Sequence, residues 1–189
     1  MEQIAQILKQ TKLFKDVSQE LLQTCIVPRG KTVSYPKGSC LISAGQKCHS
    51  FLILLQGTVN IMYYYADGRT SLSSKEAAPR VLALDLVATK SGTSPYFAVA
   101  AEPCLVFSFP AALLLKPGSF PEEQRQALLQ QFLIMLSHLH MEKEKHLMVL
   151  SRNGLRDRII TYLSLQAQWK NSLSFTIPFS REEMSSYLA

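Results

Sequence analysis

The segment that most constrains this chain is 122–150, which contains neither glycine nor proline. Its apolar residues alternate at steps of three and four, the spacing of a helix that packs along another helix. The segment is longer than an average globular helix, and its apolar stripe exceeds what one small domain needs for cover. We therefore predict a dimerisation helix, the alternative being a core helix that lies on its own domain. The predicted dimer interface comprises Leu128, Phe132, Met135, Leu139 and Val149.

The sequence pattern changes at about 27–109, where short strand-like runs are separated by glycine and proline. The run "ADGRT" supplies an Asp-Gly hairpin turn, in which Gly68 can take a positive φ. "FAVAAEPCLVFSFP" reads as two more strands, broken at Pro103. Many short strands with regular turns predict an antiparallel roll. Two short helical patterns precede it, and Ser18 is the predicted cap of the second.

The C-terminal part combines three further patterns. Residues 153–169 have helical spacing, 172–179 alternate like a strand, and Ser180 with Glu183 forms the capping box of another helix. The sequence stops within that helix. The whole order predicts an α+β fold.

Composition sets broad limits on the protein class. Hydrophobic residues make up 47%, so we expect a globular chain, and no run of apolar residues suits a membrane span. The N-terminus has no signal pattern, which favours a cytoplasmic location. A net charge of +6 weakly favours polyanionic partners. The four scattered cysteines are expected to be reduced and mostly buried, and a redox role of Cys40 and Cys48 stays open.

The order of these elements, together with "YPKGSCLISAGQKCHSFLILLQGTVNI" (35–61), "AAEPCLVFSF" (100–109) and "FTIPFSREEMSSYLA", resembles the cyclic-AMP receptor protein/FNR (CRP/FNR) family of bacterial transcription regulators. The resemblance covers nearly the whole chain. It implies a cyclic-nucleotide-binding-like jelly roll with flanking helices as the sensor domain, 1–121. It further implies a long dimerisation helix, 122–150, and the start of a winged helix-turn-helix, 151–189.

The resemblance also implies function. The protein is expected to be a homodimeric, DNA-binding transcription regulator and not an enzyme. The first helix of the DNA-reading motif would contribute Ser180, Arg181 and Ser185, while the recognition helix and wing would follow Ala189. We therefore expect DNA binding from a chain that has the complete C-terminal domain, and not from these 189 residues alone. Whether the protein activates or represses stays open.

Residues 82–94, "LALDLVATKSGTS", fall where nucleotide-binding members carry a Gly-Glu pair and an arginine for the cyclic phosphate. By the resemblance, Leu84, Asp85, Ser94 and Pro95 occupy the positions of glycine, glutamate, arginine and Ser/Thr. A phosphate that loses its guanidinium loses a strong charge-assisted contact, and proline removes a backbone donor. The sequence therefore predicts that cyclic nucleotides do not bind. An uncharged or apolar effector, or none, is expected in a pocket formed by Leu84, Asp85, Leu86, Ser94, Tyr96, Phe97, Met135 and Leu139.

Other chemistry finds little support in the sequence. The helical spacing of His138, Glu142 and His146 is read as a solvated face and not as a metal site. Haem ligation by His49 or Cys48 is a minor alternative, so no cofactor is assigned. No nucleophile elbow, phosphate-binding loop or HExxH motif is present. The rival interpretation is a free-standing sensory or interaction module that regulates a partner protein.

Overall fold

The computed structural model describes residues 2–87 and 89–188. Helices flank a roll of eight strands, which confirms the predicted α+β class. The helices are α1 (Glu2–Gln10), α2 (Gln19–Leu21), α3 (Leu84–Val87), α4 (Ala112–Leu115), α5 (Glu122–Leu150), α6 (Leu155–Lys170) and α7 (Arg181–Leu188). A π-helical turn (Leu22–Ile26) and a 3-10 turn (Val27–Arg29) follow α2, whose first turn is capped by Ser18 as predicted.

Two four-stranded antiparallel sheets form the roll. One has the order β1-β8-β3-β6 and the other β2-β7-β4-β5. The strands are β1 (Lys31–Tyr35), β2 (Cys40–Ile42), β3 (Ser50–Gln56), β4 (Thr58–Tyr64), β5 (Thr70–Ala77), β6 (Arg80–Leu82), β7 (Phe97–Ala100) and β8 (Cys104–Pro110).

A single glycine, Gly57, turns the chain from β3 into β4 with a φ of +93°. A Cβ at this position would lie 2.5 Å from the carbonyl oxygen of Pro103 and 2.8 Å from Cys104 Sγ. Both the left-handed backbone and the close approach therefore require glycine.

Alternation along the strands divides the apolar residues between two cores. Phe51, Ile53 and Leu55 of β3 face outward and pack against the helices, whereas Leu54 faces the interior of the roll. This period of two is what a strand covered on both faces requires. The outer core joins α1, α4 and the first half of α5 to the sheet, and so fixes the long helix against the roll.

Beyond the roll, a third core joins the end of α5 to α6 and α7. Val149, Tyr162 and Leu188 are its buried members. The segment 172–179, predicted as a strand, forms none in the structure, because no neighbouring strand is available to pair with it. Among the described residues, no helix combines the length and apolar character needed to cross a membrane.

Candidate functional site

A cavity of about 200 Å³ lies between the roll and α5. Its walls come from β4, β5, β6, α3 and the middle of the long helix, and Trp169 of α6 closes one side. Of the eight predicted effector-pocket residues, Leu84, Asp85, Tyr96, Met135 and Leu139 line it.

The other three predicted pocket residues lie elsewhere. Leu86 is buried in the interior core of the roll. The Ser94 hydroxyl donates to the Tyr96 carbonyl at 2.8 Å and accepts from the Tyr96 amide, so it is used within its own turn. Phe97 packs edge-on against Tyr64, with ring centroids 4.8 Å apart, on the outer side of the sheet. Their assignment to this cavity is corrected accordingly.

Each oxygen of the Asp85 carboxylate has a partner within the chain. The Tyr96 hydroxyl donates to Asp85 Oδ1 at 2.8 Å, and the Lys143 ammonium donates to Oδ2 at 2.7 Å. Burial, followed by the nearby Asp85 charge, raises the pKa of Tyr96, so the phenol stays a donor. Both oxygens that a ligand hydroxyl would contact therefore already accept hydrogen bonds.

Arg80 and Lys12 also line the cavity, and Arg80 is paired with two carboxylates. Its Nε lies 2.7 Å from a Glu76 oxygen, and its Nη2 lies 3.2 Å from a Glu142 oxygen. Sequence reasoning weighed Arg80 but missed Lys143, which lies 58 positions from Asp85 along the chain. The helical step between Leu139 and Lys143 was the signal, since i and i+4 share one face.

The backbone at the start of α3 shifts the comparison with nucleotide-binding sites by one residue. Ala83 has a φ of +59°, in the left-handed region that glycine favours. Leu84, aligned above with the glycine, begins the helix with its side chain buried. If Ala83 takes the glycine position, then Leu84 takes that of the glutamate, and no carboxylate is placed for a ribose.

The residues predicted for a dimer interface are buried within their own chain. Leu128, Phe132 and Met135 belong to the outer core, where Phe132 contacts Phe51 edge-on at 5.4 Å. Leu139 packs partly on that core, and Val149 lies in the third core. These side chains cover the roll and the C-terminal helices, so the assignment to the dimer interface is corrected. The helical spacing of these apolar residues was predicted correctly, but they pack against their own chain and not against a second copy.

A second apolar stripe on α5 is only partly covered, since Leu129 and Leu136 pack in part against the outer core. Leu133 is 64% exposed and Leu147 is 57% exposed. With the partly buried leucines, they repeat at steps of four and three along one side of the helix. The stripe is interrupted only by His140 and Lys143. Its apolar members are Leu129, Leu133, Leu136, Leu147 and Leu150.

The predicted DNA-contacting residues lie at the start and on the outer side of α7. Ser180 forms the predicted capping box: its hydroxyl accepts from the Glu183 amide at 3.1 Å, and Glu183 accepts from the Ser180 amide at 2.8 Å. Arg181 and Ser185 are exposed. Helix α7 thus begins where the sequence predicts.

The opposite side of α7 is docked on β5 of the roll. The Lys75 ammonium donates to both Glu183 oxygens at 2.8 Å. The Ser186 hydroxyl accepts from the Leu72 amide at 3.0 Å. These contacts join residues more than a hundred positions apart and hold the C-terminal helices against the roll.

Two of the three residues with metal-like spacing on α5 are engaged otherwise. His146 donates from Nε2 to the Tyr187 carbonyl at 2.8 Å and stacks on the Tyr187 ring at 3.9 Å. Glu142 pairs with Arg80. The part of the chain that the structure describes has no group of three or more His, Cys, Asp or Glu residues arranged to hold a metal ion.

Residues 32–116 match the cyclic nucleotide-binding domain family. A cyclic nucleotide-binding domain from Methylobacillus flagellatus is similar over 82% of this chain and 85% of its own, at 18% identity and a TM-score of 0.67. The c-di-GMP responsive global regulator CLP from Xanthomonas campestris is similar over 85% and 80%, at 14% identity and 0.65. The transcriptional regulator DNR from Pseudomonas aeruginosa is similar over 97% and 79%, at 20% identity and 0.58. At such identities the likeness shows a shared fold. A comparison with curated proteins finds no match.

Proposed function

We propose that this protein, whose residues 32–116 belong to the cyclic nucleotide-binding domain family, is a homodimeric transcription regulator of the CRP/FNR type. One observation carries the proposal: the likeness to DNR covers 97% of the chain, so it includes the helices after α5 and not only the roll. A regulator with this architecture acts by binding DNA, and we place it in the cytoplasm. We propose no catalytic activity.

The dimer is proposed to form through the exposed stripe of α5. A row of leucines at heptad spacing, interrupted at His140 and Lys143, suits a second copy of the same helix, because the two-fold mate presents an identical row. The buried apolar side chains of α5 would then pack on the roll of their own chain, and the stripe would pack on the α5 helix of the partner. Each protomer's sensor would be fixed to the dimer axis by one rigid helix.

The sensor is proposed to respond to something other than a cyclic nucleotide. The cavity is smaller than the roughly 300–1,000 Å³ usual for small-molecule sites. Of the three cations that line it, Lys143 and Arg80 are paired with carboxylates, so a phosphate could contact these two only by breaking their pairs, and Lys12 alone would remain for it. An effector that enters here is proposed to be small and uncharged or apolar, in contact with Met135 and Leu139.

Selection from random DNA duplexes tests the regulator proposal. The protein expressed from its own gene should enrich a two-fold symmetric site with half-sites about one helical turn apart. Binding to that site should weaken steeply with added salt, because contacts to phosphates release counterions. Failure to enrich any sequence, together with specific capture of one protein partner, would favour the interaction-module alternative.

A further inference from the structure

We propose that the cleft between β5, α5, α6 and α7 is a second ligand site, which binds a planar aromatic carboxylate. The cleft has a volume of about 410 Å³, within the usual range of small-molecule sites. It lies outside the roll, on the side where the C-terminal helices meet the sensor. The proposal goes beyond the regulator function and does not depend on DNA binding.

One wall of the cleft is aromatic. Tyr187 lies between Tyr162 and Phe179, with ring centroids 5.6 Å and 4.8 Å away. Trp169 of α6 extends this wall and is 59% exposed. Aromatic side chains that line a concave surface bind flat rings by offset or edge-on stacking. The wall therefore favours a planar ligand.

The charges of the cleft favour an anion. Within residues 2–87 and 89–188, Lys75, Arg80 and Lys143 each pair with a carboxylate. Lys145 and Lys170 also line the cleft, and no described carboxylate pairs with either.

Each of these two lysines instead lies over an aromatic ring. The Lys145 ammonium is 4.3 Å from the centre of the Trp169 ring, and Lys170 lies 5.9 Å from that of Phe175. Two cations without carboxylate partners, beside an exposed indole, match a ligand that joins a flat ring to one negative group. Ser73 and Ser74 of β5 supply hydroxyl groups on the facing wall.

The cleft adjoins the roll cavity, and Arg80, Lys143 and Trp169 are among the residues that line both. Lys143 and Arg80 are paired with carboxylates, whereas Lys145 and Lys170, which line the cleft and not the roll cavity, remain for a ligand. A ligand here would contact β5 on one side and α6 on the other. It would therefore stabilise the docked position of the C-terminal helices, because only that position presents both walls together.

Trp169, the sole tryptophan of the chain, lines both the cleft and the roll cavity, so its fluorescence detects a ligand in either place and variants are needed to locate it. The experiment titrates the protein with para-hydroxybenzoate while indole fluorescence is recorded, and repeats it with neutral para-hydroxybenzamide. We expect saturable quenching by the carboxylate and at least about tenfold weaker binding of the amide, because one charge-assisted contact is lost. Absence of saturable binding at millimolar carboxylate, or equal affinities for both compounds, would overturn the proposal.

Three variants locate the bound probe, with affinities measured by calorimetry and folding checked by thermal melting. Lys145→Met should weaken para-hydroxybenzoate about fivefold to tenfold. Lys37→Met, which removes an exposed lysine from a turn of the roll, is the matched control and should leave the affinity unchanged. Tyr96→Phe alters the roll cavity only and should also leave it unchanged. If Tyr96→Phe weakens the probe as much as Lys145→Met does, the ligand lies in the roll and the proposal fails.

Discussion

The ammonium of Lys143 lies 2.7 Å from Oδ2 of Asp85, and this contact ties the long helix directly to the short helix α3 of the roll. Tyr96 holds the other oxygen of the same carboxylate. The side chains of Lys143 and Asp85 are 44% and 27% exposed, so the pair contributes only about 0.2–1 kcal/mol to stability. Its main effect is structural, because with Tyr96 it gives each oxygen of Asp85 a partner within the chain.

Calorimetric titration with cyclic AMP and cyclic GMP should give no saturable heat at millimolar concentration. The physical reason is that Asp85, Arg80 and Lys143 already satisfy one another or a neighbouring glutamate. A contrary result would be micromolar binding that Arg80→Ala abolishes. Arg80 would then have exchanged its glutamate partners for the phosphate.

Leu133→Glu should convert the dimer to a monomer at micromolar concentration, as measured by light scattering. Burial of each large apolar side chain contributes about 1.5–3 kcal/mol, and the two-fold axis counts each loss twice. Gln130→Glu is the matched control: it places the same charge on the same exposed side of α5, in a residue that is already polar. A mass that stays dimeric in Leu133→Glu would show that the stripe does not form the interface.

Sequence periodicity predicted α5 within its observed bounds, and Gly-Pro punctuation predicted the roll, because both patterns depend on local geometry. The face of α5 could not be predicted in the same way. Phe132 and Leu133 both belong to rows at heptad spacing, and spacing alone does not say which row covers the roll. The pairing of Asp85 with Lys143 was missed for a related reason, since only the folded chain brings α3 and α5 together. The alternation at 172–179 likewise predicts a strand only where a neighbouring strand is available to pair with it.

Stability should fall on mild acidification through His146. Its pKa lies below the ordinary 6.5, because burial disfavours the imidazolium more than the hydrogen bond to Tyr187 favours it. A lowered folded-state pKa means that the free energy of unfolding is highest above about pH 6.5 and decreases as the pH drops through the folded value. Thermal melts across that window should show a smaller decrease for His146→Gln than for the unaltered protein. His140→Gln, on the exposed side of α5, is the control, and an unchanged slope in His146→Gln would contradict the prediction.

Gly57→Ala should destabilise the roll more than Gly38→Ala does. Both glycines have a positive φ, +93° and +83°, so each alanine incurs about 1–2 kcal/mol of backbone strain. Only at Gly57 does the added methyl group also meet Pro103 and Cys104, whereas at Gly38 it meets nothing within 4 Å. Urea unfolding of both variants measures the difference, and equal losses would show that the β3–β4 turn adapts freely.

The docking of α7 has a consequence for self-association. Strand β5 has β4 on one side only, so its other side is a sheet edge. While α7 is docked, the Ser186 hydroxyl occupies the Leu72 amide, one of the groups with which a foreign strand would pair. Exposed edges of this kind are templates for aggregation and strand exchange between molecules. Release of α7 from β5 would therefore expose a strand edge that can pair with another molecule, so the fraction of undocked molecules would set the tendency to aggregate.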